Sequence, residues 1–338
     1  MSQPVKFNDL RPTGNLKLQL DAAYERVMTS NRYIGGAEVE AFEREWADYC
    51  EVEHCVACGN GFDALQLCLR AYGIGAGDEV LVPAWTATPT WAAVVAVGAI
   101  PAPTDGWIDE TKAAIIQVHL YGLPSDIQLM ADRPLPVFED CAQAHGMKVD
   151  GRTVGGRAHA SAWSFYPTKN LGAYGDAGAV TTGDAGLVEA LRLYRDYGCR
   201  GAINSRMDPL QAAFLRIKLP HLNGWNARRR EIADRYLLEL RDVPFVELPA
   251  VPEWCEPVWH QFVVRSAKRD DLRAFLTERN VETMIHYPKP PHRVLGYDYH
   301  LPEADRMAAE VLSLPVAPHL TDEEVGRVIG AMREWGTA

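Results

Sequence analysis

Lys169 stands between an aromatic, β-rich run and a string of glycines in "AWSFYPTKNLGAYGDAGAV", residues 162–180. A lysine enclosed by apolar neighbours loses its charge readily, because desolvation disfavours the ammonium, and the neutral amine is a nucleophile suited to attack a carbonyl. Ser164 and Tyr166 bring hydroxyls to the same stretch, and Pro167 bends it. Gly172, Gly175 and Gly178 let a flat ligand or another strand approach the backbone closely. A lysine after a strand is by itself a surface charge; these neighbours make Lys169 a candidate for chemistry.

A second candidate lies in "VFEDCAQAHG", where an apolar strand ends in Glu139 and Asp140, followed by Gln143 and His145. A carboxylate at the carboxyl end of a parallel strand sits where α/β proteins bind ligands. The plain alternative is that Asp140 caps a helix after the strand. Beside a carbonyl-binding lysine an aspartate has a specific task, holding a proton on the pyridine nitrogen of pyridoxal phosphate. The third piece is "CGNGFDALQL", a glycine turn between strand and helix whose free backbone N–H groups suit a phosphate. Trp85, in "VPAWTATPTW", could stack on a planar ring or fill core.

These residues need a scaffold, and the chain supplies an alternation of short apolar strands with helical patterns, the signature of a mostly parallel sheet wrapped by helices. Strands are expected at 54–58, 79–83, 99–103, 114–119, 135–138, 161–165 and 178–182. Between the first two, Leu65, Leu69 and Tyr72 recur at helical spacing. A helical region over "MDPLQAAFLRIKLPHLNGWNARRREIADRYLLEL" breaks near Pro220, and the Pro-rich "VPFVELPAVPEWCEPVW" marks a boundary between residues 1–243 and 244–338. After it, "WHQFVVR", "DDLRAFLTERNVETMIHYP" and "TDEEVGRVIGAMREW" read as strand, helix, strand and closing helix.

With 338 residues, 47% of them apolar, the chain can fill a large core and a smaller one. A net charge of −11 argues against a nucleic-acid or anionic-membrane surface, either of which needs a basic face. No run is long and apolar enough to span a bilayer, and "MSQPVKFNDLRP" lacks the apolar core of a signal peptide, so the chain reads as soluble and cytoplasmic. Seven cysteines fit reduced thiols. Cys50, Cys55 and Cys58 have the C-x4-C-x2-C spacing of plant-type iron–sulfur proteins. Cys50, however, ends a helical pattern, Cys55 and Cys58 sit in a buried-strand pattern, and no fourth cysteine is suitably spaced. They read as ordinary buried cysteines, and no metal site is expected.

In order along the chain, "YIGGAEVEAFEREWADYC", "GNGFDALQLCLRAYGIGAGDEVLVPAWT", "QVHLYG", "EDCAQAHG", "SFYPTKNLGAYGDAGAV", "NSRMDPLQAAFL", "HYPKPPH" and "LSLPVAPHLTDEEV" resemble the DegT/DnrJ/EryC1/StrS group of pyridoxal phosphate (PLP)-dependent aminotransferases, which act on nucleotide-linked keto sugars. The resemblance implies the aspartate aminotransferase-like fold, fold type I, with a mostly parallel α/β domain and a small C-terminal α+β domain. It also implies a homodimer whose two sites share residues. On this basis Lys169 bonds to the cofactor and carries the proton, and Asp140 pairs with the pyridine nitrogen. Gln143 contacts the ring hydroxyl and Trp85 stacks on the ring. Ser164 with the backbone of Gly61 and Phe62 forms the phosphate cup, and Asn204 reaches a phosphate across the dimer interface. Two stretches, "GAIPAPTDGWIDETKAAII" and "SDIQLMADRPLPVFED", are shorter than the group usually has.

One branch of the group carries histidine at the lysine position and removes a sugar hydroxyl, so Lys169 implies amino transfer. The donor would be glutamate, with pyridoxamine phosphate left after the first half-reaction. "MIHYPKPPH", with His286 and Tyr287 as substrate contacts, resembles members that aminate carbon 3 of a dTDP-linked 6-deoxy-keto-hexose. A His–Tyr pair leaving a strand can also be a hydrogen-bonded anchor. Amination at carbon 4 of a UDP- or GDP-keto sugar, and an inert PLP-binding regulatory protein, are the competing expectations.

Overall fold

The computed structural model describes residues 3–104, 108–125 and 135–337. Two helices, α1 (Gly14–Ser30) and α2 (Ala37–Tyr49), precede the sheet. Helix α2 buries Val39, Phe42 and Trp46, spaced for one face, and carries Glu38 and Glu40 in its first turn, where the helix dipole favours negative charge. Next come β1 (His54–Cys58), α3 (Gly61–Ala71), β2 (Glu79–Pro83), α4 (Thr88–Ala96), β3 (Ile100–Thr104), β4 (Ala114–Val118) and β5 (Val137–Asp140). A short hairpin, β6 (Lys148–Val149) and β7 (Arg152–Thr153), turns at Asp150 and Gly151, both at positive φ as a two-residue Asp-Gly turn requires. Strands β8 (Ala160–Ser164) and β9 (Gly178–Thr182) complete the main sheet.

All seven strands expected from the sequence lie in this sheet, in the order β1-β9-β8-β5-β4-β2-β3. The run from β8 to β3 is parallel, and β9 pairs antiparallel with β1 and β8. Alternate side chains feed two apolar layers. One gathers Phe42, Trp46, Leu81, Ile115 and Trp163, and the other Leu65, Trp91, Val80, Phe138 and Val180. Cys55 belongs to the first layer and Cys58 to the second, so the two thiols point to opposite faces of the sheet, and Cys50 is packed in the first. Burial pushes all three thiols up in pKa. Of the two shortened stretches, residues 105–107 and 126–134 lie outside the described residues; β3, β4 and β5 beside them are paired in full.

Helices α5 (Ala185–Arg195), α6 (Pro209–Lys218) and α7 (Leu222–Glu239) follow, with Pro220 in the 3-10 turn between α6 and α7. Met207 and Leu215 enter the main core, while the partly buried Leu210 and Phe214 pack against a small cluster with Ala23 and Val27 of α1. The remainder comprises β10 (Cys255–Glu256), β11 (Phe262–Arg265), α8 (Arg269–Glu278), α9 (Pro291–Leu295), α10 (Pro302–Glu310), β12 (Val311–Leu314) and α11 (Asp322–Trp335). Helix α11 starts at a full capping box between Thr321 and Glu324. A third apolar cluster joins Val5 and Ile232, Tyr236 and Leu240 of the α7 region to Phe262, Leu276, Leu312 and Val328.

One expected strand falls elsewhere. The partner of β11 is β12, the fully buried "VLSL", and the 281–288 stretch contributes only isolated bridges at Val281 and Met284. The physical reason is downstream: Pro288, Pro290 and Pro291 offer no N–H to a ladder, and Met284, His286 and Tyr287 are turned into a cavity. No helix among the described residues is long and apolar enough to cross a membrane.

Candidate active site

A cavity of about 580 Å³ opens at the carboxyl ends of the parallel strands, within the roughly 300–1,000 Å³ range of small-molecule sites. It brings together Gly61, Phe62, Asp140, Gln143, Ser164 and Lys169, with His286 and Tyr287 from the C-terminal part.

At one end lies the start of α3. Asn60 caps the helix by accepting from Asp63 N at 2.8 Å, which leaves the amides of Gly61 and Phe62 in the first turn without a cap partner. A Cβ at position 61 would lie 2.6 Å from Ser164 Cβ, so only glycine lets the serine close on the turn. Gly172 is equally constrained, because a Cβ there would meet the Pro167 carbonyl at 2.3 Å. The strand-end serine and the helix amides thus form a cradle for a phosphate.

Lys169 follows β8 in the loop toward β9, its backbone N–H donating to the Tyr166 carbonyl at 2.8 Å. Burial pulls its amine down to about 8, against the opposing pull of Asp140. Asp140 ends β5 and is 6% exposed. Its Oδ2 accepts from Thr90 Oγ1 at 2.9 Å and its Oδ1 from Ala142 N at 3.1 Å. No helix follows it, so the capping alternative falls. Burial raises the Asp140 pKa, and the Ala142 amide, Thr90 and Lys169 oppose the rise. Glu139 belongs to a separate buried group, accepting from Ser161 Oγ at 2.5 Å with His119 Nε2 at 3.3 Å. His145 is packed among Trp46, Trp163 and Phe165, and burial pushes it down to about 3.

Gln143 is held at both ends: Oε1 accepts from Tyr121 N at 2.5 Å, and Nε2 donates to the Tyr287 hydroxyl at 2.7 Å. The Tyr121 hydroxyl donates to the His286 carbonyl at 2.5 Å and accepts from Trp85 Nε1 at 3.1 Å. His286 Nδ1 pairs with Ser313 Oγ at 2.8 Å. Both His286 and Tyr287 are therefore anchored and also line the cavity. Burial lowers His286 to about 4 and raises Tyr287 to about 12.

Two expected residues stand apart. Trp85 does not line the cavity; Ala87 and Pro89 do, and the indole sits behind Tyr121 and crosses the Tyr287 ring at 63°. The Trp85 indole N–H is bound to the Tyr121 hydroxyl, which holds the ring in place next to the cavity wall. Asn204 is exposed in a loop, bridged to Asp196, and does not border this chain's cavity. Its neighbour Ser205 is buried, donating to Asp63 Oδ2 at 2.7 Å and accepting from Gly59 N at 3.0 Å, which ties the loop to the phosphate turn. Sequence reading missed Thr90, Tyr121 and His260. Only Asn60 carried a signal, its capping position ahead of Asp63.

A lysine, a buried carboxylate and a phosphate cradle at one cavity of a mostly parallel sheet define a PLP-dependent enzyme of aspartate aminotransferase-like fold. Residues 16–333 match the DegT/DnrJ/EryC1/StrS aminotransferase family, and the chain belongs to it. It is 45% identical to the dTDP-3-amino-3,4,6-trideoxy-alpha-D-glucose transaminase of Streptomyces venezuelae, over 98% of this chain and 96% of that one. Identity is 43% to the dTDP-3-amino-3,6-dideoxy-alpha-D-galactopyranose transaminase of Aneurinibacillus thermoaerophilus, over 98% and 99%. The solved structure of S. venezuelae DesV in complex with a ketimine intermediate superposes with a TM-score of 0.93 at 44% identity, covering both chains in full. The protein is an aminotransferase, with pyridoxal phosphate as its cofactor.

Proposed function

We propose that this enzyme takes an amino group from L-glutamate and delivers it to carbon 3 of a dTDP-linked 6-deoxy-keto-hexose, acting as a cytoplasmic homodimer. The observation that carries the reading is the meeting of Lys169 and Asp140 in one cavity whose far end is the Gly61–Ser164 cradle. The names of the two relatives share a dTDP carrier, a 3-amino group and a 6-deoxy sugar, and this supports the choice of substrate.

Bound there, the cofactor supplies an aldehyde for the amine and a ring that withdraws electrons from the reacting carbon. Each residue then has a task. Ser164 and the Gly61 and Phe62 amides hold the phosphate, and Asp140 keeps a proton on the ring nitrogen. Lys169, with an amine near neutrality, moves the proton between carbon and nitrogen. Gln143 orients Tyr287 and borders the ring hydroxyl, while His286 and Tyr287 receive the sugar. Trp85, held by Tyr121, would stack on the ring, with Ala87 and Pro89 in the cavity wall nearby. In this reading residues 1–243 carry the cofactor and 244–338 form the smaller domain, whose core also takes in Val5 and the second half of α7.

The donor half is tested by adding glutamate to the holoenzyme. The visible absorption of lysine-bound cofactor should give way to that of the amine form, with one 2-oxoglutarate released per site. An unresponsive spectrum would favour a binding protein without turnover. Assembly is tested by mixing Lys169→Ala with Asn204→Ala under conditions that exchange subunits. If Asn204 serves the neighbouring site, some mixed dimers hold one site with both defects and one with neither, and activity partly returns. Absence of recovery despite proven exchange and an inactive Asn204→Ala parent would return Asn204 to its own chain's site.

A further inference from the structure

His260 lines the cavity that holds Lys169, yet is only 7% exposed, and a chain of side-chain amides behind it decides which ring nitrogen carries the hydrogen. That chain is anchored on backbone carbonyls, which can only accept. Asn226 Nδ2 donates to the His145 carbonyl at 2.7 Å, so Asn226 Oδ1 is left to accept. Asn170 Nδ2 donates to that oxygen at 2.9 Å and to the Val258 carbonyl at 2.8 Å. With its two amide hydrogens spent, Asn170 presents Oδ1 as an acceptor, and His260 Nδ1, 3.0 Å away, is the donor. A neutral imidazole with its hydrogen on Nδ1 has a bare lone pair on Nε2.

Among the described residues Nε2 has no hydrogen-bond partner in the protein. With Nδ1 held by Asn170, Nε2 is the ring's remaining polar atom, and the residue borders the same cavity as Lys169. Burial first, then the positive charges of Lys169 and Arg229, hold the ring well below the ordinary histidine pKa. Arg229 Nη1 also donates to the Trp259 and His260 carbonyls at 3.1 and 3.3 Å, fixing the backbone that carries the ring.

We propose that His260 is a positioning residue for Lys169: locked with its hydrogen on Nδ1, it offers Nε2 as a fixed acceptor for an N–H of the lysine amine whenever that amine is free of the cofactor. The proposal rests on Lys169 being the cofactor-bound lysine. A free lysine stem samples many rotamers, and proton transfer requires its nitrogen within hydrogen-bond reach of the reacting carbon. A rigid acceptor narrows that search without competing for the proton. Because an ammonium donates more strongly than an amine, the acceptor also supports the charged form, so its loss lowers the pH at which Lys169 deprotonates.

Two measurements decide. In cofactor-free protein labelled with 15N-histidine, with His260→Gln used to assign the signals, the ring should show a protonated Nδ1 and a bare Nε2; the opposite tautomer overturns the proposal. In single turnover of the holoenzyme with glutamate, His260→Asn keeps an amide hydrogen for Asn170 but has nothing at the Nε2 position. It should slow about 10- to 100-fold, with the acid limb of its pH profile moved down. His260→Gln, which reaches the Nε2 position with an acceptor oxygen, should recover most of the rate. Wild-type rate and profile in His260→Asn, or equal impairment of both variants, overturns the proposal. The visible band of lysine-bound cofactor separates the two readings: its absence from wild-type holoenzyme removes the assignment of Lys169, and its loss only in the variants marks His260 as structural. If His260→Asn fails to fold, the tautomer of the wild-type ring decides.

Discussion

Lys169→Ala is expected to abolish amino transfer, by about 10⁴-fold or more, while leaving the fold intact. The side chain lines a cavity and fills no core, so its removal opens no void within the packed layers. The Gly61–Ser164 cradle is untouched, and the variant should still bind the cofactor without a covalent link. Its visible spectrum should then match free cofactor in a protein pocket, and borohydride should no longer fix the cofactor to the chain. Thermal unfolding within a few degrees of wild type would locate the loss in chemistry. Transamination at a near wild-type rate would sink the entire assignment.

Asp140→Asn should keep much of the cofactor binding and lose rate by about 10²–10³-fold, equivalent to about 3–4 kcal/mol of barrier. Asparagine can still accept from Ala142 N through Oδ1, and its Nδ2 can donate to the Thr90 hydroxyl, which then accepts instead of donating, so the local structure should survive. It cannot balance a positive charge on the ring nitrogen, and the ring then withdraws electrons less well. The substitution also removes the carboxylate that supports the Lys169 ammonium, so the lysine pKa should fall further below its ordinary value. A single-turnover series with glutamate across pH reads both effects. An unchanged rate would leave Asp140 a turn-forming residue bonded to Ala142.

The sheet was readable from the sequence because each of its strands is a short apolar run closed by a turn residue, and burial on both faces makes such runs conspicuous. Asp140 was legible for a related reason, since charge at the end of an apolar strand is costly unless it has work to do, and Lys169, in the loop after β8, stood out by its aromatic and glycine neighbours. What stayed hidden depends on contacts distant in the chain. β12 pairs with β11 across 45 intervening residues' worth of helices and turns, as in the bond of Arg265 to Glu310, and no local pattern ranks it above the 281–288 stretch. The bond from Trp85 to Tyr121 joins residues 36 apart, and nothing local announces it. Thr90 sits in an apolar helix with nothing to mark it, and acts only because the end of β5 reaches it. His260 gains its role from a chain of amides spread over residues 145, 170, 226 and 258, which no spacing rule encodes.

The most direct test of the account is to charge the holoenzyme with glutamate, remove excess donor, add a dTDP-linked 3-keto-6-deoxyhexose and locate the new nitrogen by NMR. The expected product is a 3-amino sugar still attached to dTDP, formed once per charged site, with the cofactor returned to its lysine-bound spectrum. A sugar recovered with its ketone intact, or nitrogen found at carbon 4, would contradict it.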